Sequence, residues 1–169
     1  MADYQVKSDS TRTFTLREAG TVLGELTYTE WFSFKASLTL PGGVSLQIEP
    51  KGFWGTTIEL KEQAEVRLSF KMHWNGNILL KSRLGGVNQA FVLKNRSMLK
   101  NEYVLLHKSG QELLLIRPDF KWNSANYDYT ISSTEEFEAL AAKHVLLLIA
   151  VHCTNYYLTM MTSTVLLSA

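Results

Sequence analysis

The sequence predicts a mainly β protein: a closed antiparallel β-barrel wrapped around one long C-terminal hydrophobic α-helix. Two observations carry this. From Val145 to Ala169 there is no Asp, Glu, Lys or Arg, and Val145-Leu-Leu-Leu-Ile-Ala-Val151 is apolar on every side of a helix. Such a helix belongs inside a protein or inside a bilayer. Upstream of it, short segments alternate apolar and polar residues with period two and are punctuated by turn residues, the pattern of half-buried strands.

The strands are read in order. A short one is expected at Tyr4–Lys7. Thr11–Glu18 sets Phe14 and Leu16 against Thr13, Thr15 and Arg17. After Ala19-Gly20, Thr21–Tyr28 returns. Phe32, Phe34, Ala36, Leu38 and Leu40 share one face of the next strand. Pro41-Gly42-Gly43 breaks it, and Val44, Leu46 and Ile48 resume, making a hairpin. Pro50-Lys51-Gly52 is read as a second break before a strand at Phe53–Lys61. Val66, Leu68, Phe70, Met72 and Trp74 then face one way, with Arg67, Ser69, Lys71 and His73 facing the other. Asn75-Gly76 suits a two-residue type I′ turn, because both central residues need positive φ. Asn77–Lys81, Ala90–Lys94, Tyr103–His107, Glu112–Arg117 and a strand marked by Tyr127, Tyr129 and Ile131 complete the set.

Ser133-Thr134-Glu135-Glu136 reads as a capping box, with the Ser133 hydroxyl accepting from the amide of residue 136. The acids at 135, 136 and 138 suit the positive end of a helix. A helix from about 134 to about Leu158 or Met161 is expected, and about 24 helical residues span roughly 36 Å, enough to cross a small domain. The 169 residues are therefore read as one domain, with strands over about 4–131 followed by the helix. His152, Thr154, Asn155 and the later threonines favour a core helix over a tail anchor, which remains an alternative.

Repeated hairpins up to Ile131 followed by the apolar stretch Phe137–Val151 resemble the tubby C-terminal-like superfamily, which includes tubby-like proteins, phospholipid scramblases and LURP-one-related proteins. Gly20-Thr-Val-Leu-Gly-Glu-Leu-Thr-Tyr28 looks like the strand-turn-strand opening of its small bacterial members. The resemblance implies a twelve-stranded barrel enclosing a hydrophobic helix. It also implies a non-enzymatic binding or scaffolding domain that touches lipid headgroups. No phosphoinositide- or calcium-binding residue of that family maps onto a position here.

Net charge is +1, but the charges are uneven: Val66–Asn101 contains no acid and seven cations. Lys71, Lys81, Arg83, Lys94 and Arg96 are the candidate binding residues for anionic lipid or a phosphate-bearing ligand, since a basic face attracts both. The bland alternative is a solvated sheet face. A strict two-residue turn pairs Lys71 with Leu80, so Lys81 joins the face of Lys71 only if the strand bulges or ends there.

Trp31, Trp54, Trp74 and Trp122 fall near strand ends, where packing around the helix is expected. His73, His107, His144 and His152 lack metal-ligand spacing, and Cys153 has no partner cysteine, so neither zinc nor any other cofactor is expected. No RNA-binding or phosphate-loop signature appears, so no nucleic acid is expected as a partner. The lone cysteine and the polar N-terminus suit a cytoplasmic protein, and the resemblance implies one peripheral to a membrane. A lipocalin-like carrier of a small apolar ligand is the other alternative; it needs an empty lumen. Oligomeric state is not legible.

Overall fold

The computed structural model describes residues 1–30, 33–52 and 56–168, with side chains as far as 163. Twelve strands form a closed barrel in which every strand is antiparallel to its two neighbours. They are β1 Asp3–Ser8, β2 Thr13–Glu18, β3 Thr21–Glu30, β4 Lys35–Thr39, β5 Ser45–Lys51 and β6 Thr57–Glu62 in the first half. The second half holds β7 Glu65–Met72, β8 Ile78–Ser82, β9 Gln89–Ser97, β10 Glu102–His107, β11 Glu112–Lys121 and β12 Asn126–Ser133. Consecutive strands are neighbours, and β1 closes on β12 with Val6 opposite Tyr129.

Each strand buries at least two inward apolar side chains, large ones such as Phe14 and Leu16 from β2 or Phe70 and Leu68 from β7, with the small Ala36 beside Leu38 on β4. Ile58 faces Phe70, Phe70 faces Leu80, and Leu80 faces Phe91, so the layers continue around the wall. Into this lumen runs α2, Lys143–Ser168. Every residue from Val145 to Asn155 is buried, about three full turns of helix. Leu147, Leu148, Ala150 and Val151 are fully buried although they point to different sides. The lumen is thus occupied by the helix, whereas a lipocalin-like carrier needs it empty. By length and composition Lys143–Ser163 could cross a bilayer, but its first turns are the core of the barrel.

Helix and wall approach closely at Gly24 on β3. A Cβ there would lie 3.0 Å from Leu148 Cδ1 and 3.1 Å from the Thr39 carbonyl oxygen. Glycine is the residue that fits between them.

The predicted single helix is two. Thr134, not Ser133, caps α1 (Glu135–Glu138), accepting from the Phe137 amide. The chain then turns through Ala139–Ala142 before α2 begins. Nothing in Phe137-Glu-Ala-Leu-Ala-Ala-Lys143 disfavours helix locally; tertiary anchoring breaks it. Tyr4 Oη and Lys143 Nζ both donate to Glu138, at 2.8 and 2.6 Å, pinning α1 to the barrel, while Phe137 is fully buried. The chain must then turn to run through the lumen.

Other expectations shift at strand ends. β5 continues through Pro50 to Lys51. β4 begins at Lys35, and Phe34 precedes it with φ 55° yet stays buried. Phe32, Phe53, Trp31 and Trp54 lie outside the described residues. The Asn75-Gly76 connection is one residue longer than a type I′ turn. The Gly76 amide donates to the His73 carbonyl and the His73 amide to the Asn77 carbonyl, with Gly76 at φ 84°. This is a three-residue loop with a left-handed last position. Trp74 consequently leaves the inward face and is fully exposed, as is most of Trp122, so these two do not pack the core.

Candidate anion-binding groove

The longer loop decides how the cations assemble. Lys71 sits opposite Leu79, and Lys81 opposite Ser69. Lys71 and Lys81 therefore share the outer face, two residues apart along neighbouring strands, because the extra loop residue, a bulge at Gly76, shifts the register by one. On the next strand Lys81 faces Ala90 and Leu79 faces Val92. Lys94 is four residues along β9 from Ala90, roughly 13 Å at the rise of an extended strand, and stands apart from Lys81.

A groove of about 490 Å³ opens on the outer wall near the end where α2 enters. β7 contributes Arg67 and Ser69, β8 Lys81, β9 Gln89, and the connections contribute Arg83, Asn88 and Lys108. Two backbone bonds hold these pieces together: the Arg83 amide donates to the Arg67 carbonyl at 2.7 Å, and the Lys108 amide to the Ala90 carbonyl at 3.0 Å. No acid is among the described lining. Arg67 is bonded to Glu62 at 3.0 Å and Glu65 at 3.4 Å. Lys81, Arg83 and Lys108 make no ion pair among the described residues.

Of the five candidates read from sequence, the structure brings Lys81 and Arg83 into one groove. Lys71 belongs to a different crevice, beside Trp74 and Tyr156. Arg96 is engaged by Glu112 at 3.2 Å, and Lys94 is solvated on β9. Arg67 and Lys108 join the groove, and Lys108 was missed. It lies beyond the acid-free interval, and only the β9–β10 pairing brings it alongside. Ser69, Asn88 and Gln89 add neutral donors, and the set has the chemistry of an anion site: point charges, one free guanidinium fork and short polar side chains. Among the described residues no three His, Cys, Asp or Glu side chains converge as metal ligands would.

No family model matches the sequence, and no curated protein matches it. A crystal structure of a protein from Arabidopsis thaliana superposes with a TM-score of 0.54 at 12% identity, over 88% of each chain. At that identity the likeness is one of fold.

Proposed function

We propose that this chain is a non-enzymatic binding domain of tubby-like architecture whose outer groove takes a phosphate-bearing ligand. The observation that supports this is the convergence of Lys81, Arg83 and Lys108 from separate elements, beside an Arg67 held by Glu62 and Glu65, onto one groove whose described lining contains no acid. Cations gathered by tertiary structure raise the local potential more than the same charges dispersed, and they bind a multiply charged anion cooperatively. The lone, buried Cys153 suits a reducing cytoplasm.

Titration calorimetry with inorganic pyrophosphate tests the reading. Wild type should bind, more weakly at high salt because surface charges are screened beyond roughly 8 Å at physiological ionic strength. Lys81→Ala and Arg83→Ala should each lower affinity by about tenfold, while Lys94→Ala should leave it unchanged. Absence of binding at low salt, or equal losses in all three variants, would make the segment a solvated sheet face.

A further inference from the structure

In a meander barrel, consecutive connections lie at opposite ends, so alternate connections share an end. The connections after β7, β9 and β11 therefore share one end, and it is the end from which α2 emerges: Tyr157 packs on Gly76, and Leu158 and Thr162 lie against Ala125–Tyr127. Each of these three connections carries an exposed apolar tip. Trp74 is 99% exposed, Leu99 101% with Met98 beside it, and Trp122 89%. They occupy successive positions around half of the rim. A basic residue accompanies each: Lys71 three residues before Trp74, Lys100 after Leu99, and Lys121 before Trp122, the last of them already paired with Asp128 at 3.5 Å. None of these connections contains an acid. In the middle of the rim the helix projects. Met160 and Met161 are exposed, and the helix continues to Ser168, about 12 Å further at 1.5 Å per residue. Its last turns carry no charge and include Val165-Leu166-Leu167.

We propose that this end of the barrel docks on an anionic lipid bilayer. Tryptophans on separate loops backed by lysines are suited to the headgroup boundary, where rings sit between water and acyl chains and cations meet anionic headgroups. A crevice of about 510 Å³ beside the emerging helix, lined by Trp74, Tyr156, Met160 and Met161 with Lys71 among its walls, gives an acyl chain or headgroup a place to lodge. A second copy of the chain fits less well. The helix projects through the centre of the rim, so two such ends would meet convex against convex, whereas a fluid bilayer accommodates a convex probe. This surface is independent of the groove, which opens near the opposite end.

The test uses the full chain with phosphatidylcholine vesicles, with and without phosphatidylserine. Wild type should co-sediment with the phosphatidylserine vesicles. A Trp74→Ala, Trp122→Ala variant should lose at least about tenfold in affinity with its melting temperature unchanged, and Lys81→Ala, Arg83→Ala should bind as wild type does. As a second measurement, Leu99→Cys labelled with an environment-sensitive dye should shift to the blue on vesicles; Cys153 is buried and stays unlabelled. No co-sedimentation of wild type, equal binding by the tip variant, binding lost only in the groove variant, or an unshifted dye would overturn the proposal. So would concentration-dependent dimerisation that the tip variant abolishes without any vesicle binding.

Discussion

His152 is an ionisable residue sealed from water. It lies on α2 inside the lumen, fully buried, stacked on Tyr28 at 5.4 Å between centroids and flanked by Phe34 and Phe70. Its Nδ1 is 2.8 Å from Tyr28 Oη, and Nε2 has no partner among the described residues. Asn155 donates to Tyr28 and accepts from Tyr129, so the lumen contains a small polar chain. Burial lowers the His152 pKa to about 3. The unfolded state takes up this proton near the ordinary value of about 6.5, while the folded state resists it until about 3. Between these values the unfolded state binds more protons, so stability falls as pH falls. Denaturant unfolding at pH 7 and pH 5 should show a loss of about 2 kcal/mol in wild type. His152→Gln should flatten that dependence. Glu138 is raised by burial, but bonds from Lys143, Ser133 and Tyr4 outweigh this and hold it below its ordinary value. Its contribution is lost only at lower pH, which keeps the two effects separable. An equal pH slope in wild type and variant would mean that His152 is not the group responsible.

At the scale of elements, α2 is the barrel's core rather than an attachment to it. A strand wall with two inward side chains per strand needs something at its centre, and leucines around the whole helix circumference supply it. Leu147 is fully buried, so Leu147→Asp would place a charge where neither water nor a partner can reach it. The cost exceeds the roughly 5–15 kcal/mol by which domains of this kind are stable. The expected outcome is loss of the cooperative thermal transition by circular dichroism. A variant that still melts sharply near the wild-type temperature would show that the helix side chains are not enclosed. The break between α1 and α2 belongs to the same scale: Glu138 ties α1 to Tyr4 on the first strand, while Lys143 starts the helix that goes inside.

The whole molecule closes only when both termini take part, since β1 pairs with β12 and α2 fills the space between them. Long-range pairing of this kind makes folding slow relative to helical proteins. It also makes the fold all-or-none. A chain ending at Thr134 retains all twelve strands but surrounds an empty apolar lumen; close packing would be lost along the entire wall. Such a protein should show no cooperative melt and should bind a hydrophobic dye. A sharp transition in that truncated chain would mean that the wall is stable without the helix.

Period-two patterning located a counterpart for each of the twelve strands, and the charge-free C-terminal stretch announced a helix buried on all sides. Both signals are local, set by which side chains must leave water. Side-chain parity holds only while the strand continues, which is why Trp74, in phase with Phe70 and Met72, proved to be exposed beyond the end of β7. The helix break had no local signature, because the cause is a bond between Glu138 and a tyrosine 134 residues away. For the groove, the acid-free interval pointed to Lys81 and Arg83, yet it grouped Lys94 and Arg96 with them and omitted Lys108. Which cations share a surface depends on strand register, and register here turned on a single residue in the Trp74–Gly76 loop. The gathering of exposed Trp74, Leu99 and Trp122 around the emerging helix was likewise decided by barrel closure: a linear chain has strand ends, but only a closed meander puts alternate ones on the same rim.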